Sequence, residues 1–230
     1  MKVRGIVASL GLALAVVIGI TATAQAHQGF WLGGGFGSMS ASGDMNGSSS
    51  AFFTDASGTN AVEAGSLSSG TGLVLDIGYG FNKYLGIEYL FSQTHHSASS
   101  TVVGTDTTAN VSTGLLALRV TVPLEEQHLE LFGRVGLSSH SVTYADYGLQ
   151  GFTSGNVFKE TSSGSATFTG SGTGIGFGVE YFIDKVGLEL GYTLFQANMN
   201  QASTSSFSGG LSPVLKENFG LVDLDVSYHF

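Results

Sequence analysis

Cysteine is absent and proline occurs only twice in the 230 residues. Without cysteine there is no disulfide framework, no thiolate metal site and no thiol nucleophile. Charge is scarce as well: 11% of residues are Asp, Glu, Lys or Arg, where an ordinary soluble domain carries about a quarter. The few charges are lopsided, 17 acidic against 8 basic, for a net −9. A chain so poor in Lys and Arg has no basic patch with which to displace phosphate counterions, which excludes nucleic acid as a partner. Beyond the N-terminal segment no apolar run approaches the ~20 residues of a membrane-spanning helix. What is abundant is glycine, at 35 residues, with 16 Phe and 8 Tyr. That much apolar surface excludes a disordered chain.

The one long apolar run sits at the start. Lys2 and Arg4 precede an uncharged stretch from Gly5 to Ile20, and Ala24-Gln25-Ala26 supplies small residues at the spacing a signal peptidase needs. The pattern predicts a cleaved signal peptide over residues 1–26, a secreted mature domain over 27–230, and export from the cytoplasm.

The rest of the chain alternates with a period of two. Leu73, Leu75, Ile77, Tyr79 and Phe81 interleave with Gly72, Val74, Asp76, Gly78 and Gly80. Successive side chains of a strand point to opposite faces, so such a segment has one apolar face and one small or polar face. The same reading holds for 85–92, 115–122, 129–138, 174–181, 186–194 and 222–230. A first strand over Phe30 to Ser40 is so rich in glycine that its faces stay unassigned. Together these make eight strands and an all-β chain.

Nine charged residues fall inside the strands of clear parity: Asp76, Glu88, Arg119, Glu130, Arg134, Glu180, Glu189, Asp223 and Asp225. All share the face opposite the apolar row. That face is lined with glycine and lacks the rows of Lys, Glu and Thr of a solvated surface. The apolar rows begin or end in Tyr and Phe, as do the aromatic girdles of membrane barrels, and Trp31 is read as a further interfacial anchor. Short links at Asn82-Lys83, Pro123 to Gln127 and Asp184-Lys185 alternate with long Ser/Gly/Thr-rich ones at Ala41 to Gly70, Thr94 to Val111, Ser141 to Thr169 and Asn200 to Asn218. The expected architecture is an eight-stranded antiparallel up-and-down transmembrane β-barrel with four long extracellular loops and three short periplasmic turns.

The opening Gly29-Phe30-Trp31-Leu32-Gly33-Gly34-Gly35-Phe36-Gly37 and the ending Val222-Asp223-Leu224-Asp225-Val226-Ser227-Tyr228-His229-Phe230 resemble those of the small OmpA-like and OmpX-like outer-membrane β-barrel family. The resemblance spans the mature chain and implies a bacterial outer-membrane location in contact with lipid and lipopolysaccharide. It implies that Val226, Tyr228 and Phe230 form the signal by which the barrel assembly machinery recognises the C-terminal strand. As the chain stops at Phe230, the resemblance is to a free barrel, without the periplasmic peptidoglycan-binding domain.

An eight-stranded barrel is narrow enough to be filled by side chains. The inward glycines at 172, 174, 176 and 178 leave space that large inward groups elsewhere must take. Arg119 and Arg134 lie on adjacent strands and reach Glu88, Glu130, Glu180 or Glu189, an ion-paired plug that satisfies buried charge. Seven acids against two bases leave −5 if all are ionised. Asp223 and Asp225, joined by Asp76, form a crowd that bound protons or a cation must relieve, so any conductance would be cation-selective and weaken at low pH. The expected role is structural and surface-interacting, of adhesin or envelope-integrity type, with a narrow cation-preferring pore as the alternative. A lipid-modifying enzyme ranks third: His140-Ser141 is one His–Ser neighbour in a Ser-rich chain, and the His-x-Ser-Asn pattern of lipid A deacylases is missing. No enzymatic activity, cofactor or metal ligand is assigned, since the adjacent His95 and His96 point apart on a strand. Phe52, Phe53, Tyr144, Tyr147 and Phe152 in the long links are candidates for contact with a surface ligand, or for packing over the barrel mouth.

Overall fold

The computed structural model describes residues 28–44, 52–54, 60–63, 66–99, 106–124, 128–153, 157–204 and 214–230. The leader expected at 1–26 lies outside them. Eight long strands carry the fold: β1 (Gly29–Gly43), β2 (Gly70–Asn82), β3 (Leu85–Ser99), β4 (Asp106–Leu124), β5 (Leu129–Thr153), β6 (Val157–Ile183), β7 (Val186–Thr204) and β8 (Leu215–His229). Each pairs antiparallel with the next. The ring closes where β1 meets β8, from Trp31 opposite His229 to Gly43 opposite Glu217. This is the up-and-down eight-stranded barrel expected from the alternation. Closure leaves none of the eight strands with a free edge. Two short strands, Phe52–Thr54 and Asn60–Glu63, pair with each other, the second extending β5, and Ser66–Leu67 pairs with β3.

Tight turns define the lower end of the barrel. Between β2 and β3 the Asn82 carboxamide oxygen accepts the backbone N–H groups of Tyr84 and Leu85 at 2.8 and 3.0 Å, a side-chain mimic of a turn hydrogen bond. Between β6 and β7 the turn residue Asp184 adopts φ 56°, a left-handed conformation that Asp tolerates better than most residues.

The outward row is apolar over a band and then turns polar. On β5, Leu131, Val135 and Leu137 face outward, followed by exposed Ser139. On β3, Ile87 and Tyr89 give way to Gln93, His95 and Ser97. The strands continue well past that change, and this corrects the expected link boundaries. Much of Ser141 to Thr169 is a β5–β6 hairpin, and parts of the other long links are also strand. The reason is on the inner face, where the apolar row persists after the outer row has become polar: Val142 and Tyr144 follow His140 on β5 and are fully buried, with Phe168 opposite on β6. A barrel wall needs apolar residues outside only where lipid lies, but inside wherever side chains fill it.

β1 takes the facing its composition concealed. Trp31, Gly33, Gly37 and Met39 point inward and Phe36 outward, 73% exposed.

Candidate functional site

The lower half of the barrel interior gathers all nine charged residues, each at most 6% exposed. Arg119 on β4 contacts Glu88 on β3 at 3.2 Å, Glu180 on β6 at 2.7 Å and Glu189 on β7 at 2.7 Å. Arg134 on β5 contacts Glu88 at 3.3 Å, Glu189 at 3.0 Å and Asp223 on β8 at 3.5 Å. Each guanidinium fans its fixed donors across three carboxylates, a geometry a lysine ammonium would not reproduce. Of the seven acids, only Glu88 and Glu189 belong to both fans. Asp223 was not among the arginine partners expected, because β8 meets β5 only across the lumen. Glu130 lies beside Arg119 in the lining of the lower mouth, around a cavity of about 30 Å³ shared with Trp31, Glu180 and His229. That is room for a water or two.

Several members of this network carry no formal charge and escaped a reading based on charge. Phe132 places its ring under both arginines, 3.9 Å from the Arg119 guanidinium carbon and 4.9 Å from that of Arg134, where the ring face attracts cations. Ser227 donates to Glu180 at 2.6 Å, and His229 Nε2 lies 3.1 Å from the same oxygen. Both share the parity of Asp223 and Asp225, which was the available signal.

Trp31 corrects the expectation of an interfacial anchor. It is 6% exposed inside the barrel and its Nε1 donates to Asp76 at 2.8 Å. The ring stacks on His229 with centroids 5.8 Å apart and lies 5.5 Å from the Arg119 guanidinium. Its slot exists because β2 has Gly78, where any side chain would strike the indole, and β3 has Gly86, where a Cβ would stand 3.2 Å from it. The glycines of β6 are used in the same way. Arg134 fills space opposite Gly176, Leu115 opposite Gly174 and Phe132 opposite Gly178.

Above the charges the interior is mostly apolar, with Ser92, Thr94, His96, Thr113, His140 and Glu217 buried among the apolar side chains. Every strand contributes: Met39, Val74, Leu90, Leu115, Val142, Phe168, Phe195 and Phe219, none more than 1% exposed. Surface facing a water-filled lumen would count as exposed, so no water column touches these side chains. His140 sits in this layer, stacked on Phe219 at 5.3 Å and edge-on to Phe195 at 5.4 Å. It lies beyond Leu137, the last outward apolar residue of β5, and its apolar surroundings push its pKa down to about 4. Its Nε2 is 2.8 Å from Ser138 Oγ, whereas Ser141 is on the opposite face. A serine–histidine pair at that distance is the start of a nucleophile and base, but His140 Nδ1 has no orienting partner and both side chains are sealed from solvent. His96 points inward between Thr94 Oγ1 and the Ser68 carbonyl, each at 2.8 Å, while His95 faces outward toward Asn110 at 2.9 Å.

Two other expectations divide. Tyr144 is buried inside the barrel, edge-on to Phe168 at 6.0 Å, and is therefore corrected from a candidate surface contact to interior packing. The side chains of Phe52, Phe53, Tyr147 and Phe152 lie outside the described residues. On β8, Val226 and Tyr228 point outward at 55% and 45% exposure, and Phe230 follows them at the end of the chain.

A closed eight-stranded barrel with an apolar outer band and a filled, charged interior defines the class of small membrane β-barrels. Within it, a family model for the outer membrane protein β-barrel domain matches residues 10–213, and the chain belongs to that family. Among solved structures it resembles the outer membrane protein OprG from Pseudomonas aeruginosa, at 14% identity and TM-score 0.55, over 88% of this chain and 96% of that one. It resembles Neisserial surface protein A at 13% identity and TM-score 0.52, over 87% and 97%. Outer membrane protein AlkL, solved in lipid bilayers, gives 13% identity and TM-score 0.51, over 92% and 94%. Similarity at these identities concerns the fold. No match is found among curated proteins. The chain is an outer-membrane β-barrel protein.

Proposed function

We propose that this barrel is closed to solutes and acts as a structural and surface-interaction protein of the outer membrane, holding its extended upper strands and loops outward for contact. The observation that carries this reading is the apolar layer from all eight strands, sealed from water above an ion-paired lower half. Ions crossing it would shed their hydration among packed apolar side chains with few polar groups to replace it. The exposed apolar rows suit lipid, and the polar rim above them suits lipopolysaccharide. The outward Val226, Tyr228 and Phe230 support recognition of β8 by the barrel assembly machinery, with export depending on cleavage after Ala26. No enzymatic role is proposed: the Ser138–His140 pair lacks both an orienting acid and a route for substrate.

A narrow cation-preferring pore is the second reading, favoured by the acid excess of the lower interior. Single-channel recording of the refolded chain in a planar bilayer separates the two. With insertion verified, a silent bilayer at neutral pH supports the closed barrel, and function is then sought by exchanging the loop segments and measuring cell attachment. Steady cation-selective openings that change with substitution of Arg119 or Arg134 would establish the pore instead.

A further inference from the structure

The acids of the lower interior are not all served by the two arginines. Glu189, Asp223 and Asp225, from β7 and β8, bring one carboxylate oxygen each to within 4.8 Å of one another. Glu189 faces Asp225 directly across the β7–β8 pair. Glu189 and Asp223 share Arg134, but both oxygens of Asp225 and Asp223 Oδ1 are buried with no N–H or O–H donor to serve them, the two aspartates having only each other's carboxyl within reach. Asp225 is 2% exposed, so water does not stand in for the missing partners. An ionised carboxylate buried in that way is among the costliest arrangements a protein interior can hold.

A second observation comes from the other side of β1. Asp76 on β2 donates nothing to this triad, yet its Oδ1 is also buried and unpartnered, its Oδ2 being held by Trp31. β1 lies between β2 and β8 and carries Gly33 opposite Asp76 and Gly35 opposite Asp225. The free Oδ1 of Asp76 leans over Gly33 and the free Oδ1 of Asp225 leans over Gly35, each into space that a side chain on β1 would occupy. Two unpartnered oxygens therefore flank the glycine track of β1, from strands that are not neighbours, and Asp76 is close enough to act electrostatically on Asp225.

From this geometry we infer that the barrel interior binds one divalent cation of calcium's size, held by Asp225, Asp223 and Glu189 with Asp76 at its edge. The donor set is all oxygen, which suits hard cations and not zinc or copper. Magnesium dehydrates reluctantly and usually keeps several waters, whereas calcium accepts a set made largely of carboxylates, so a site this buried favours calcium. Two positive charges also offset part of the −5 left by seven acids and two arginines. The apolar layer closes the site from above, so the ion is taken up as the barrel folds.

The test is to refold the chain into detergent micelles with calcium or with a chelator, remove free ion by desalting, and measure bound metal by atomic emission. About one calcium per chain is expected, together with a higher midpoint for the heat-induced gel-mobility change than in the chelated barrel. Asp225→Asn is isosteric and should refold, retain less than a tenth of the calcium and lose the calcium dependence of the midpoint. Asp44→Asn, at an exposed aspartate, should leave both unchanged. A readout free of variants is terbium luminescence excited through Trp31, the sole tryptophan, which should rise on refolding with terbium and fall when calcium competes. Calcium retained equally by Asp225→Asn would overturn the site. So would a wild-type barrel that binds neither ion and is stabilised by Asp225→Asn whatever the calcium, since a shared proton then relieves the carboxylates.

Discussion

Arg119 and Arg134 stand directly opposite one another on β4 and β5, and the same two glutamates, Glu88 and Glu189, ion-pair with both. Like charges at facing positions of adjacent strands repel, so the pair is tenable only because carboxylates from β3 and β7 reach into the gap. Arg119 adds Glu180 and Arg134 adds Asp223. The two arginines thus tie four further strands to their own pair, six of the eight in all, and the lower lumen is braced by side chains as well as by the backbone ladder.

Removing one brace should cost more than removing a surface ion pair. Arg134→Met leaves Asp223 without its arginine and Glu88 and Glu189 with one partner each, in a setting where breaking a buried pair costs about 3–5 kcal/mol. Equilibrium urea unfolding in lipid vesicles should show a loss of that size, and adding Asp223→Asn should return part of it. A loss below about 1 kcal/mol, as for an exposed pair, would mean that water reaches the network.

The inward facing of Trp31 has an optical consequence. It is the only tryptophan in the chain, so the intrinsic emission reports its position alone. Brominated lipids should quench it weakly at every bromine depth, because the barrel wall separates the indole from the acyl chains. A residue anchored at the membrane interface would be quenched strongly by bromines placed near the headgroups.

Much of this was legible from parity. Alternation in seven strands gave the barrel, and the placing of nine charges on one face gave the population of the lower lumen. Parity failed where residues have no side chain to reveal a face. β1 reads Gly33-Gly34-Gly35, and Trp31 could be assigned only from Gly78 and Gly86 on other strands, which a linear reading does not bring together. Composition misled at the upper end: Ser139, Ser141 and Thr143 look like loop until the inward His140, Val142 and Tyr144 are followed separately. Which acid meets which arginine depends on distance across the lumen, and neighbouring strands alone do not give it, hence the unexpected Arg134–Asp223 contact.

Packing in the apolar layer is tight enough to test by exchange of volume. A Cβ at Gly174 would lie 2.8 Å from a Leu115 methyl and 3.1 Å from the Phe195 ring. Gly174→Ala should therefore cost about 1–3 kcal/mol as overpacking, and Leu115→Ala about 2–5 kcal/mol as a cavity. Since the two sites share one space, the double variant should lose clearly less than the sum. Strict additivity in urea unfolding would show that Gly174 and Leu115 do not compete for volume.

His140 makes the upper layer sensitive to acid. Its pKa of about 4 in the folded barrel lies below the 6.5 of an exposed histidine, so between those values the unfolded chain binds the proton that the folded barrel refuses. Stability therefore falls as pH drops through 6.5 and levels off near 4, a loss of about 3 kcal/mol from this residue if the whole shift is realised. Carboxylates titrate over part of the same range, so the informative quantity is the difference between wild type and His140→Leu. Urea unfolding at pH 7.5 and pH 4.5 should show a smaller loss in the variant, with the apolar replacement at least as stable as wild type at the lower pH. Parallel losses in the two proteins would mean that His140 exchanges protons with solvent in the folded barrel, and that the layer around Phe195 and Phe219 is not sealed.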